Sequence, residues 1–213
     1  MTTTFKPQKV VLVGYSGHAF VVAETLMQIG FEVVGYLEKV EVASNPFNIS
    51  YLGFEQNLYD LEKIKDFMIF PSIGDNFIRE KVMSKLERSS FVIPIAIHPQ
   101  ANISTQIKLG DGTLICRGAC INPFSVIGKG VIINTAAIVE HECIIGDYAH
   151  IAPGAVLAGN VKIGNGSFVG ANAVVKQGVE IGKNVIIGAG AVILKDVPDN
   201  LIMVGNPAKI IVK

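Results

Sequence analysis

The residues best able to do chemistry sit in one stretch, IVEHECIIGDYAH at positions 138–150. It carries two histidines nine residues apart, His141 and His150, with Glu142 beside the first. An imidazole with an ordinary pKa of about 6.5 can take up a proton at neutral pH, ligate a metal or stand idle at the surface. A metal needs three or four converging ligands. The other histidines, His18 and His98, lie outside the stretch, and Cys116 and Cys120 form a C-x-x-x-C spacing with no second cluster. No metal is therefore expected. Two readings stay open for His141: an ordinary surface residue or a general base. Glu142 could support a base by stabilising the imidazolium. Neighbours on a flat strand point to opposite sides, so the two can meet only if the chain bends at 141–142.

The elements that must position these residues are periodic. From Ile103 to Ile193, every sixth residue is Ile, Leu or Val, sixteen positions in succession. Four residues after each, from Thr113 onward, stands a small or β-branched residue such as Ala119, Ser125, Ala137, Cys143 or Ala155. Neither a helix nor a hairpin has this period. It is the grammar of a parallel β-helix of hexapeptide repeats, in which each hexad makes one side of a triangular coil. The large aliphatic fills the core, the small residue fits the corner, and residues 18 apart stack. The array is expected to end at Pro198, which cannot donate to a further ladder.

Stacking converts sequence into surface. Gly159 falls beside His141 on the next coil and leaves the imidazole unobstructed. Asn134, Ala152, Gly170 and Gly188 form one column, and Thr135, Pro153, Ala171 and Ala189 the next. Two columns of small side chains predict a groove for a thin, extended, amide-bearing chain such as a pantetheine arm. The alternative is that small residues merely permit close packing between coils or subunits. His141 and His150 lie half a coil apart and do not stack.

The first half follows another pattern. Strand-like Lys9–Val13, 31–37, 67–70 and 91–97 alternate with helix-like 18–28, 54–65 and 77–87, which predicts a small parallel sheet with helices on its faces. Ligands of such sheets bind at the carboxyl ends of the strands. The sequence divides into an α/β domain, residues 1–99, and a β-helix domain, residues 100–213. With 213 residues, 50% hydrophobic and a formal net charge of zero, it offers an ample core and no electrostatic case for nucleic acid or a membrane surface. Its start lacks the features of a signal peptide. Three cysteines, an odd number, read as free thiols in a reducing, cytoplasmic compartment.

The combination of GYSGHA (14–19), IGDNFIREK (73–81), IHPQANIS (97–104), EHECIIGDYAHIAPGA (140–155) and VGNPAKII (204–211) resembles bacterial nucleotide-sugar acetyltransferases of the hexapeptide-repeat family. The resemblance spans nearly the whole chain. It implies a left-handed β-helix, a homotrimer and acetyl-CoA as co-substrate. It also implies transfer to the amino group, C4 by analogy, of a nucleotide-linked amino-deoxy-sugar for surface glycan synthesis. By the same resemblance His141 is the general base and Glu142 its partner. Asn134 and His150 contact acetyl-CoA, Gly159, Ala171 and Ala189 line it, and Lys209 meets the CoA phosphates. Gly14, Ser16, Gly17 and His18 cradle the diphosphate, and Gly74, Asp75 and Asn76 read the base or ribose. The related UDP-sugar enzymes carry paired aspartates after Gly-x-Leu. Here Glu38 can replace one acid, while Lys39 reverses the second charge and leaves the base open. The dinucleotide fingerprint is missing, which disfavours an NAD-dependent protein. The rivals are an O-acetyltransferase of the sialic acid type and a non-catalytic trimeric nucleotide-binding scaffold.

Overall fold

A computed structural model describes residues 7–211. The N-terminal part is a four-stranded parallel sheet in the order β3-β2-β1-β4, made of β1 (Lys9–Val13), β2 (Glu32–Leu37), β3 (Ser50–Tyr51) and β4 (Met68–Pro71). The run KVVLV is apolar on both faces because both are covered. Val10 and Leu12 pack with Ala19, Val22, Ala23 and Leu26 of helix α1 (Gly17–Gln28). Val11 and Val13 pack with Leu61 of α2 (Leu58–Lys63) and with Val82, Met83 and Leu86 of α3 (Asn76–Arg88). Both clusters run on into the second part of the chain, through Leu114, Cys116 and Ile132 on one side and Tyr148 on the other. The two parts therefore share a core. Among the described residues no helix is long and apolar enough to cross a membrane.

Three sheets of five, eight and six short strands, parallel except for the last strand of the eight, build a left-handed β-helix, and partners such as Ile132 and His150 pair at a spacing of 18. The predicted aliphatics and small corner residues are its core: Ile133, Val139, Ile151, Ala137, Cys143 and Ala155 are all fully buried. Polar corner residues are satisfied by one repeated device. Thr113, Ser125, Cys143 and Ser167 each donate to the carbonyl 15 residues on, of Gly128, Glu140, Ala158 and Gly182 respectively. The turns also recur every six residues, with positive φ at Gly112, Gly118, Phe124, Gly130, Ala136, Glu142, Tyr148, Gly154 and Asn160. Glycine and asparagine tolerate that conformation, whereas a glutamate or tyrosine costs about 1–2 kcal/mol there.

Three sequence expectations are corrected. Residues 54–65 are helical only over Leu58–Lys63, because a turn at 54–57 precedes it and the Asp60 carboxylate accepts from the Phe54 N–H at 3.2 Å. The run 91–97 is not a strand of the small sheet. Pro94 interrupts it, Val92 lends one carbonyl to Ile69, and Ala96–Ile97 instead forms the first rung of the eight-stranded sheet against Leu114–Ile115. Nor does pairing stop at Pro198: Ile202–Met203 stacks on Ile186–Ile187 at a spacing of 16, and Lys209–Ile210 folds back antiparallel to close the end.

Candidate active site

The outer column of the eight-stranded sheet runs Ala96, Leu114, Ile132, His150, Phe168, Ile186. The first three are buried beneath the α/β part, and Ile186 is exposed. His150 stands at the seam, only 8% exposed. Its Nε2 lies 3.0 Å from Asn134 Nδ2 and its Nδ1 3.3 Å from the Gly74 carbonyl. The consistent assignment has Asn134 donating to Nε2 and Nδ1–H donating to Gly74. Burial, the nearby Arg79 guanidinium and His18 together push the His150 pKa down to about 3. The ring is neutral at physiological pH.

His18 joins this cluster from the first turn of α1, its ring 6.3 Å from that of His150 and its own pKa lowered to about 4, mainly by burial and then by Arg79. The loop before it forms because Gly14 takes φ +87°, where a side chain would meet Ile73 at 3.0 Å. Ser16 caps α1 without using its side chain, and a side chain on Gly17 would point into open space. The N-terminus of a twelve-residue helix is thus open at the carboxyl end of β1, a setting suited to an anion. Glu38, at the end of β2, accepts from the Tyr15 N–H at 3.3 Å and the Lys39 N–H at 2.9 Å. At the end of β4, Asp75 caps α3 by accepting from Ile78 N–H. Asn76 Nδ2 donates to the Gly166 and Ser167 carbonyls at 2.9 and 3.2 Å, so this residue bridges to the coils. A cleft of about 380 Å³ opens beside it, lined by Gly74, Phe77, Glu80, Phe168 and Ile186.

The other histidine lives differently. His141 lies on the vertex between the six- and five-stranded sheets, its side chain 49% exposed, with Nδ1 3.0 Å from Glu142 Oε2. Adjacent side chains can meet because Glu142 adopts φ +61°. The bend required at 141–142 is present. Gly159 lies beneath the ring: a Cβ there would come within 2.5 Å of His141 Cε1 and 2.6 Å of Nε2. Nδ1 is held by the carboxylate, leaving Nε2 as the nitrogen to exchange a proton. His98, by contrast, is 2% exposed and accepts from the Gln100 N–H.

The expected groove is narrower than two columns. A side chain at Gly170 would strike Ala189 N at 2.6 Å, and one at Gly188 would meet Val204 at 2.8 Å, so this column is small because the coils touch. The outer column of Thr135, Pro153, Ala171 and Ala189 carries the accessible small residues, with Ala171 half-buried and the rest exposed. Asn134 begins that vertex, whereas His141 occupies the next, one sheet further along. Lys209 is exposed near the far end, beside a cleft lined by Val192, Leu194 and Met203. One chain therefore gathers the N-terminal loops, His150 and Asn134 at one seam and holds His141, Glu142 and Gly159 on another edge. Arg79, buried at that seam, was not singled out from sequence. Its signal is visible there: it shares the apolar stripe of α3 with Val82, Met83 and Leu86.

Residues 9–86 match the family model of the PglD N-terminal domain, and residues 124–159 and 160–195 match that of the bacterial transferase hexapeptide. Comparison with curated proteins returns no match. Among solved structures, the acetyltransferase domain of PglB from Neisseria gonorrhoeae in complex with acetyl coenzyme A is 35% identical, with a TM-score of 0.91 over 97% of this chain and 100% of that one. A histidine variant of perosamine N-acetyltransferase from Caulobacter crescentus, in complex with CoA and GDP-perosamine, is 36% identical, with a TM-score of 0.91 over 96% of this chain and 97% of that one. WeeI from Acinetobacter baumannii is 28% identical with a TM-score of 0.84, covering 96% and 100% of the two chains. The chain belongs to the hexapeptide-repeat acetyltransferases that carry a PglD-type N-terminal domain.

Proposed function

We propose that this protein transfers the acetyl group of acetyl-CoA to the amino group of a nucleotide-linked amino-deoxy-sugar, with His141 as general base. The observation that carries the reading is the His141–Glu142 pair, 3.0 Å apart on a positive-φ turn, with its ring over Gly159. An exposed pair of this kind is worth little in stability. The hexad turns here take a positive φ, and at this one it brings a carboxylate onto an imidazole, a pairing suited to proton transfer. His141 Nε2 takes a proton as the sugar nitrogen attacks the thioester carbonyl and the N–C bond forms. The C–S bond breaks, and the departing CoA thiolate takes that proton back from the imidazolium and leaves as the thiol. Glu142 orients the imidazolium and stabilises its charge. No acyl carrier on the protein is required: burial raises the thiols of Cys143 and Cys116 to about 11 and 12, far from a reactive thiolate.

We assign the nucleotide to the α/β part, residues 1–99, and acetyl transfer to the β-helix, residues 100–213. Gly14, Ser16, Gly17 and His18 hold the diphosphate at the α1 N-terminus. Gly74, Asp75 and Asn76, with Glu38, frame the base and ribose. Asn134, His150, Gly159, Ala171, Ala189 and Lys209 serve acetyl-CoA, with the accessible small-residue column as its track. These assignments rest on family membership and on the open helix end, the exposed column and the exposed cation Lys209. We also assign a homotrimer, as family membership implies. The cofactor column and His141 occupy successive vertices of one chain, and the vertex of His141 is flanked by outer columns that present the apolar side chains Val126, Ile144 and Val174, each more than a third exposed. A second copy would cover these columns and bring the two edges together. The free thiols fit a cytoplasmic site of action.

The test is thiol release from acetyl-CoA with a panel of UDP-, GDP- and dTDP-linked 4-amino-sugars, alongside free sialic acid. Turnover is expected with one amino-sugar nucleotide. Turnover with sialic acid alone would transfer the assignment to an O-acetyltransferase, and no stabilisation by CoA would leave only a scaffold.

A further inference from the structure

Arg79 is 1% exposed, and among the described residues it has no carboxylate within ion-pair distance. All five of its N–H donors nonetheless find oxygens. Nε donates to the Gly130 carbonyl at 2.7 Å. Nη1 donates to the carbonyls of Ile73 and Gly74, both at 3.0 Å. Nη2 donates to Asn76 Oδ1 and to the Tyr148 carbonyl, both at 2.8 Å. Three acceptors belong to the loop at the end of β4 and two to turns of the β-helix stacked 18 residues apart. Burial pulls the guanidinium pKa down to about 10, still charged at neutral pH. Burying a cation with no carboxylate beside it is costly, and here that cost is offset only by fixing five acceptors from two parts of the chain around one fork. The arrangement calls for a reason beyond stability.

That reason lies in what the loop touches. The Gly74 carbonyl also accepts from His150 Nδ1, whose other nitrogen meets Asn134, and Asn76 reaches the Gly166 and Ser167 carbonyls. A planar fork with five donors in fixed directions can hold one backbone segment against another at a single distance and angle. We propose that Arg79 is a positioning residue that sets the nucleotide-binding loop Ile73–Asn76 in register with the coils carrying His150 and Asn134. It touches neither substrate. It decides where the nucleotide is held relative to the β-helix. This rests on the assignment of that loop to the nucleotide, made above.

Arg79→Lys keeps the charge but offers three donors without the planar fork. Arg79→Met keeps an apolar stem of similar reach and removes all five donors. The measurements are thermal shift and calorimetric affinity for CoA and for whichever of UDP, GDP or dTDP stabilises the parent protein. KM and kcat with acetyl-CoA and the matching amino-sugar nucleotide complete the set. In each folded variant we expect nucleotide affinity to fall and sugar-nucleotide KM to rise about tenfold or more, with CoA affinity held within about threefold. A purely structural role would lower Tm and leave both affinities unchanged. That result, or failure of both variants to fold, overturns the proposal. A parent protein that binds no nucleotide overturns this and the loop assignment together. A parent that binds and turns over, beside variants of unchanged nucleotide affinity, sinks the positioning role alone.

Discussion

His141 and His150 lie on the same β-helix half a coil apart, and their surroundings make them different groups. His141 stands on an open vertex, half exposed, with a carboxylate on one nitrogen and the other free to meet a substrate. His150 lies under the α/β part with both nitrogens engaged and its charge suppressed. The repeat supplies equivalent backbone positions. What covers each position determines whether the imidazole can exchange a proton. An open vertex suits catalysis, and a covered seam suits fixing the relation between two binding sites.

Four experiments would break or sharpen this contrast. The largest effect is expected from His141→Ala, which should lower kcat by about 10²–10⁴ while leaving Tm and CoA affinity near their parent values. Near-full turnover in that variant would remove His141 from the chemistry. Next comes Gly159→Ala. Its new Cβ would lie 2.5 Å from His141 Cε1, so the exposed ring must swing off Glu142. Since a misplacement of about 1 Å can cost about 10²-fold, we expect a loss of about 10–10² in kcat at little cost in stability, read by paired kinetics and calorimetry.

Glu142→Gly separates strain from function. Relief of the positive φ should raise stability by up to about 1 kcal/mol, while the unsupported imidazole loses several-fold to about tenfold in kcat. An unfolding titration showing no gain would mean that the turn is not strained. The last effect belongs to the seam and is read in stability rather than in turnover. The folded-state pKa values of His150 and His18, about 3 and about 4, lie below the ordinary 6.5, so below pH 6.5 the unfolded chain binds the extra protons. Stability should therefore be full above that value and fall progressively as pH drops toward 4, by at most about 1.4 kcal/mol per pH unit for His150. His150→Asn should flatten the Tm–pH slope.

The β-helix was legible residue by residue because its neighbours are set by counting. Ile133 meets Ile151, and Gly159 lies under His141, since a repeat of 18 admits no other register. The bend at Glu142 could be posed as a requirement but not established, since glutamate does not favour positive φ; the hexad turn imposes it. The segment 91–97 misled because an apolar, β-branched run looks alike in a sheet edge and in a connector, and Pro94 was the only local warning. Arg79 escaped because a charged residue on a helix is ordinarily solvated, and its acceptors lie up to 69 residues away.

The amino-acid sequence by itself determined the β-helix register, the α/β start, the candidate base and the small-residue columns. Each depends on local period or on nearest neighbours in a repeat. Only the tertiary structure decided which histidine is open and which is sealed, that half of the expected groove is coil packing, and that a buried guanidinium ties the loop after β4 to the coils. Those outcomes depend on which surface of one part covers which surface of the other. Burial and long-range hydrogen bonding are properties of the assembled chain, and no spacing encodes them.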